Sequence, residues 1–320
     1  MESIIISPVV SVIIPVHGDS PYLLSTIKSI EMQDFKAFET IIILDRVPKD
    51  IEIYTRNLAL NSRNFKVIVS KIPGISHALN LGISECSAEY IARIDADDLM
   101  RRDRLTLQQA FLELNQDVVC VGSQVTKINA KGTQIGKSSY PLTNKQIVRT
   151  LLFRNCMAHP SVMYRRSAII QTGGYRSDFN GAEDYDLWLR LLRFGKIVNL
   201  NERLTLYRVW PNQITLRDKH RLAIVADRAR RDFHATTHSR SILGNSENEL
   251  SIQKLTKSPE WISAANHFNT ALTQMRQPGE RLKSIKNTIE TLRRTPLLAT
   301  RIIFGYFWRN LPSRPKRING

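Results

Sequence analysis

The chain has 320 residues, 42% of them hydrophobic, which excludes a disordered or fibrous protein and suffices for one large domain with an appendage or two ordinary domains. Its three cysteines, Cys86, Cys120 and Cys156, stand in no CxxC or Cys/His spacing, which argues against a disulfide framework or a zinc site and points to a reducing cytoplasm. The formal charge of +17 favours anionic partners; 20 Lys and Arg against 8 Asp and Glu fall in residues 216–320, so most of the excess lies in the last third.

The opening MESIIISPVV lacks a positive stretch, a sustained apolar run and a small-residue cleavage site, so it does not read as a secretory signal. Residues 9–16 (VVSVIIPV) form a β-branched apolar run expected of a strand covered on both faces, with Ser20-Pro21 as N-cap and first residue of the next helix. Residues 40–44 make a second strand ending at Asp45, 48–60 a helix, 65–69 a third strand and 75–84 a helix. Residues 90–94 make a fourth strand that runs into Asp95-Ala96-Asp97-Asp98, followed by a helix over 102–114 and a fifth strand over 118–123. This alternation predicts a mostly parallel sheet with helices on both faces.

Beyond Val125 the pattern turns to shorter strands, a helix over 144–153 and a strand over 159–164. Residues 184–193 are an amphipathic helix with Gly195 as its stop signal, and 198–208 are extended. From about Leu216 the chain reads as basic and helical, which places a boundary near Thr215, with domains over 1–215 and 216–320. Residues 295–316 combine Leu, Ile, Phe, Tyr and Trp with flanking Arg and Lys, which suits either an interfacial helix on anionic lipid or packing onto the first domain. The longest apolar stretch, 296–308, is interrupted by Arg301 and is too short to span a bilayer.

In an open parallel sheet ligands collect outside the carboxyl ends of the strands, and here two such ends are acidic, at Asp45 and at Asp95, Asp97 and Asp98. Extended backbone places Asp95 and Asp97 on one side, with Asp98 swinging toward the same point. Carboxylates so gathered repel one another unless a hard cation lies among them, and oxygen ligands suit Mg²⁺ or Mn²⁺. The same four residues also suit a turn capping the next helix. Asp45 reads either as a turn residue or as an acceptor for a nucleotide base. Glu183-Asp184 opens a helix, where acids are favoured by the dipole alone; the sharper reading makes Asp184 a general base. His159 before Pro160 reads most simply as a loop hydrogen-bonder, and Trp188 as core.

Taken in order, these segments resemble the inverting, non-processive family 2 glycosyltransferases with a GT-A fold. The matching elements are VSVIIPV (10–16), FETIIILD (38–45), GISHALNLG (74–82), RIDADD (93–98), HPSVM (159–163), GGY (173–175), EDYDLWLR (183–190) and Tyr207-Arg208 with Gln213. The resemblance covers about residues 9–215. It implies a Rossmann-like nucleotide-diphospho-sugar transferase domain that moves one sugar with inversion onto an acceptor hydroxyl in cell-surface polysaccharide synthesis. It implies further that Asp45, Pro15, Val16, Asp95 and Arg93 bind the donor, a UDP-sugar by preference; that Asp97 and Asp98 hold Mn²⁺ or Mg²⁺; that Asp184 is the catalytic base; and that Glu183 and His159 shape the acceptor side. The implied acceptor is a lipid-linked chain or glycan at the inner face of the cytoplasmic membrane, with an anionic membrane surface as a further partner and no nucleic acid. The rival reading is a catalytically weak module that binds membrane or nucleic acid through its basic tail.

Two departures bear on this. Where relatives often read Asp-Asp-Gly-Ser the chain has Leu44-Asp45-Arg46-Val47, which loses an acid and offers Arg46 to phosphate. Where many carry Tyr-Arg-x-His, with the His completing the metal site, it has Tyr207-Arg208-Val209-Trp210, and Trp cannot ligate a metal.

Overall fold

The computed structural model describes residues 7–62, 64–210 and 219–239. The chain divides into two compact units, 1–249 and 250–320. The second unit, the boundary expected near Thr215 and the segment 295–316 lie outside the described residues.

The first half follows the predicted alternation: β1 (Val10–His17), α1 (Leu23–Glu31), β2 (Phe38–Asp45), α2 (Lys49–Asn61), β3 (Phe65–Val69), α3 (Ile75–Ser84) and β4 (Tyr90–Arg93). Strands β3, β2, β1 and β4 lie side by side, all parallel. β1 is buried on both faces, as its unbroken apolar run requires. Val10, Val12, Ile14 and Val16 pack with Leu23, Ile27 and Ile30 of α1 in one core cluster. On the other face α3 comes close enough that a methyl group at Gly82 would lie 2.9 Å from Ile13 and 2.8 Å from Ile43. Each such fully buried Val, Ile or Leu is worth roughly 1.5–3 kcal/mol.

Then follow β5 (Leu99–Met100), α4 (Arg104–Leu114), β6 (Val118–Ile128), β7 (Gln134–Ser138), α5 (Asn144–Leu151), β8 (Met163–Arg165), α6 (Arg166–Thr172), α7 (Glu183–Leu191), β9 (Lys196–Arg208) and α8 (Lys219–Ser239). The sheet continues β4-β8-β6-β9-β5, with β7 paired on β6. β8 enters antiparallel to both β4 and β6, so those two strands do not touch, although they follow one another in the parallel series. α5 begins with a reciprocal cap, Thr143 and Gln146 each bonding the other's backbone N–H.

Three local expectations are corrected. The first helix is capped at Tyr22 rather than Ser20; Ser20 instead accepts the Leu23 N–H in the turn leading in. The segment expected as a strand over 159–164 is a single 3₁₀ turn over His159–Ser161, with β8 starting at Met163. Pro160 has no N–H to give to a ladder, and the Ser161 N–H and hydroxyl both turn back to the Ala158 carbonyl. Gly195 is not among the positive-φ glycines, so it does not end α7 as a left-handed cap; a methyl group there would lie 2.5 Å from Val119, and close packing is what requires glycine. Among the described residues no helix is long and apolar enough to cross a membrane.

Candidate active site

At the end of β4 the Ile94 N–H still reaches Ile13 of β1, and the chain then turns, Asp98 N–H bonding back to the Asp95 carbonyl. The Thr26 hydroxyl of α1 fixes this turn through the carbonyls of Ala96 (3.0 Å) and Asp98 (2.8 Å). Carboxylate oxygens of Asp95, Asp97 and Asp98 thereby lie within 4.8 Å of one another. The expected convergence is present, produced by a turn rather than by the alternation of an extended strand.

Each acid has a distinct partner. Asp95 forms a two-pronged ion pair with buried Arg93. Asp97 Oδ2 accepts the Trp210 indole N–H at 2.8 Å. Asp98 is fully buried; its Oδ1 accepts the Arg208 backbone N–H at 2.7 Å, while its Oδ2 has no partner. Burial, and then the charges of Asp95 and Asp97, push the Asp98 carboxyl well above the usual range. A buried, unpaired carboxylate oxygen between two other carboxylates fits a hard divalent cation, which would satisfy the oxygen and lift the repulsion.

Asp45 sits at the end of β2, directly opposite His17 of β1. Its Oδ2 accepts the Gly74 N–H at 3.0 Å and faces His17 Nδ1 at 3.2 Å, and its Oδ1 accepts from Arg46 at 3.1 Å. Burial alone would raise this carboxyl, but the Gly74 N–H, Arg46 and His17 together bring it below the usual range, so it is ionised. Arg46, offered by the sequence to phosphate, is thus on Asp45, in a left-handed backbone conformation (φ 52°). Pro15 and Val16 are buried within β1; His17 is its exposed end.

The third group is at the start of α7. Glu183 is buried and accepts the Gly181 N–H at 2.6 Å; burial, with Asp184 beside it, raises its carboxyl to about 7. Asp184 accepts from the Asn155 side-chain amide and from the Tyr185 N–H, both at 2.7 Å. Burial nevertheless raises it above the usual range, tempered by these two bonds and by Arg93. His159 lies 4.0 Å from Glu183 and 2.8 Å from the Tyr175 hydroxyl. Burial, then Arg93, holds it well below the usual histidine range and therefore neutral.

Arg93 is the common electrostatic neighbour of Asp95, Glu183, Asp184 and His159, so the acidic turn and the head of α7 share one buried cation. Asp45 reaches the same helix by another route: Gly74 starts α3, the Ser76 hydroxyl bonds Asn180 at 2.6 Å, and Gly181 follows. Gly74 and Tyr175 fall in the sequence motifs 74–82 and 173–175 but carry no assigned role there, and Asn155 and Asn180 fall in none. Asn155 and Asn180 lie in segments without periodicity, where only the folded chain reveals what their amides meet.

The glycosyl transferase family 2 model matches residues 11–173. The chain is 37% identical over 215 residues to the O-antigen biosynthesis glycosyltransferase WbnJ of Escherichia coli, a match covering 65% of this chain and 82% of that protein. Its fold is similar to that of S. aureus TarS 1-349 in complex with UDP-GlcNAc, with a TM-score of 0.58 at 17% identity over 90% of this chain and 92% of that one. It is similar also to the mannosyltransferase PcManGT of Pyrobaculum calidifontis in complex with GDP-Man and Mn²⁺, with a TM-score of 0.58 at 15% identity over 96% and 81%.

Proposed function

The chain belongs to glycosyl transferase family 2, and on that premise we propose that it transfers a single sugar from a nucleotide-diphosphate-sugar, with inversion, onto an acceptor hydroxyl in cell-surface polysaccharide synthesis. What supports this reading is that buried Arg93, paired with Asp95 in the acidic turn, also lowers the proton affinity of both Glu183 and Asp184. Asp184 is the general base. It is ionised less readily than an ordinary aspartate, which brings its proton affinity closer to that needed to draw a proton from a hydroxyl. Asn155 and the Tyr185 N–H hold its two oxygens, fixing the direction of the carboxylate. Glu183 and neutral His159 border the acceptor, and Tyr175 fixes the His159 ring through Nε2.

On the donor side Asp45, ionised and held by Gly74, accepts from the base, with Pro15 and Val16 forming the strand end beside it. Arg93 keeps Asp95 in place and supplies positive charge near the diphosphate. Asp97 and Asp98 hold Mn²⁺ or Mg²⁺, which when bound neutralises charge on the departing nucleoside diphosphate. A UDP-sugar is the favoured donor, and a lipid-linked chain or glycan at the inner face of the cytoplasmic membrane the favoured acceptor. The test is a panel of UDP-, GDP- and dTDP-sugars with each metal, scored by nucleoside diphosphate release and by the anomeric configuration of the product. Release from one donor with inversion is expected; a retained configuration would overturn the single-displacement mechanism.

A further inference from the structure

Strand β9 ends beside the acidic turn and grips it at three points. The Arg208 backbone N–H donates to Asp98 Oδ1 (2.7 Å), the Arg208 Nε–H to the Asp97 carbonyl (2.7 Å), and the Trp210 indole N–H to Asp97 Oδ2 (2.8 Å). Arg208 is itself pinned: its guanidinium lies 4.2 Å from the Tyr22 ring and donates to the carbonyls of Asn129 and Ala130. Tyr22 in turn meets Trp210 edge to face, with ring centroids 5.7 Å apart. The backbone of Asp97 is therefore fixed by one residue and its carboxylate by another, two positions further along the same segment.

We infer that Trp210 is a positioning residue for the divalent cation: it takes no place among the ligands, but its N–H fixes the rotation of the Asp97 carboxylate. The inference rests on the reading of Asp97 and Asp98 as cation ligands. A carboxylate oxygen has two lone-pair directions, so Oδ2 can accept the indole N–H and still face a cation. An indole N–H has no acceptor lone pair and no charge, so it orients the carboxylate without competing for the metal or repelling it. The Tyr22 edge contact keeps the indole plane from turning away. Removing a hydrogen-bond partner of a metal ligand costs about 10–100-fold in affinity.

The test is a Mn²⁺ titration followed by electron paramagnetic resonance, on the full chain, with Mn²⁺ alone and with Mn²⁺ plus UDP. Trp210→Phe keeps a ring against Tyr22 and removes the N–H; Trp210→Gln keeps an N–H donor and removes the ring. The expected result is Mn²⁺ binding by the wild type, weakened about tenfold or more by Trp210→Phe and recovered in part by Trp210→Gln, with melting temperatures of all three close together. Wild-type binding with Trp210→Phe unchanged would overturn the role of Trp210 and leave the cation site standing. No binding by the wild type, even with UDP, would overturn both.

Discussion

The side-chain amide of Asn155 donates to Asp184 Oδ2 at 2.7 Å, from a loop 29 residues away in sequence. This bond lowers the proton affinity of a carboxylate that burial raises, and so sets how ionised the proposed base is near neutral pH. Replacing Asn155 by Ala removes one lowering influence. The acidic limb of the pH–kcat/KM profile is then expected to move to higher pH, with the loss of rate greatest at low pH and smallest at alkaline pH. A profile that falls equally at every pH would show that Asn155 acts only on structure.

Asp98 Oδ2 is buried without a partner, and its neighbours Asp95 and Asp97 repel its charge. A cation that binds the folded chain raises its melting temperature by mass action. Adding Mn²⁺ with UDP is expected to raise the melting temperature of the wild type, and excess EDTA to reverse it. Asp98→Asn removes the unfavourable buried charge, so it should melt higher than the wild type without metal and respond little to Mn²⁺. A full metal response in Asp98→Asn would remove Asp98 from the ligands.

Glu183 has a folded-state carboxyl near 7 against an ordinary value of 4.5. The folded chain therefore holds this proton more tightly than the unfolded chain, and the stabilisation is complete below about 4.5 and lost as pH rises through about 7. His159, facing it at 4.0 Å, works in the opposite sense: its depressed value costs stability as pH falls below its ordinary range. Glu183→Gln cannot ionise, so its melting temperature relative to the wild type should rise between pH 5 and pH 8. Thermal melts of both proteins across that interval check the sign, and parallel curves would contradict it.

Arg104 is fully buried and its guanidinium bonds uncharged groups: it donates to the carbonyls of Arg93, Val162 and Pro160, to Gln108 and to the Thr205 hydroxyl. Burial pulls its pKa down to about 9. It thus ties the end of β4, which carries the acidic turn, to the His159 loop. Arg104→Met keeps much of the volume but removes every hydrogen bond of the guanidinium, leaving the Pro160 carbonyl and Gln108 Oε1 without this donor, at a cost of about 3 kcal/mol. At roughly 2–4 °C per kcal/mol for a domain of this size, the melting temperature should drop by about 6–12 °C. A drop under about 2 °C would show that water replaces the guanidinium at no cost.

The strands and the acids at their ends were legible because local chemistry decides them. Residues 9–16 have no polar face to expose, and Asp95–Asp98 falls where such a run stops. The insertion of β8 between β4 and β6 was not, since pairing over some 70 residues leaves no local periodicity. Nor were the partners of the acids. Asn155 and Trp210 bond Asp184 and Asp97 from 29 and 113 positions away, and no spacing rule links amides and indoles to carboxylates at that range. Trp210 shows this most plainly: by residue type it is excluded as a metal ligand, yet only the fold brings its N–H onto Asp97.

Asp184→Asn tests the proposed chemistry most directly, because asparagine keeps the size of the side chain and an oxygen for the Asn155 amide but cannot accept the proton. With the donor that the wild type turns over, nucleoside diphosphate release and donor affinity should be measured on the same preparation by product assay and calorimetry. Donor affinity within about twofold of the wild type, together with a fall in kcat of roughly 10²–10⁴, is the expected result. Transfer at the wild-type rate would mean that another group takes the acceptor's proton.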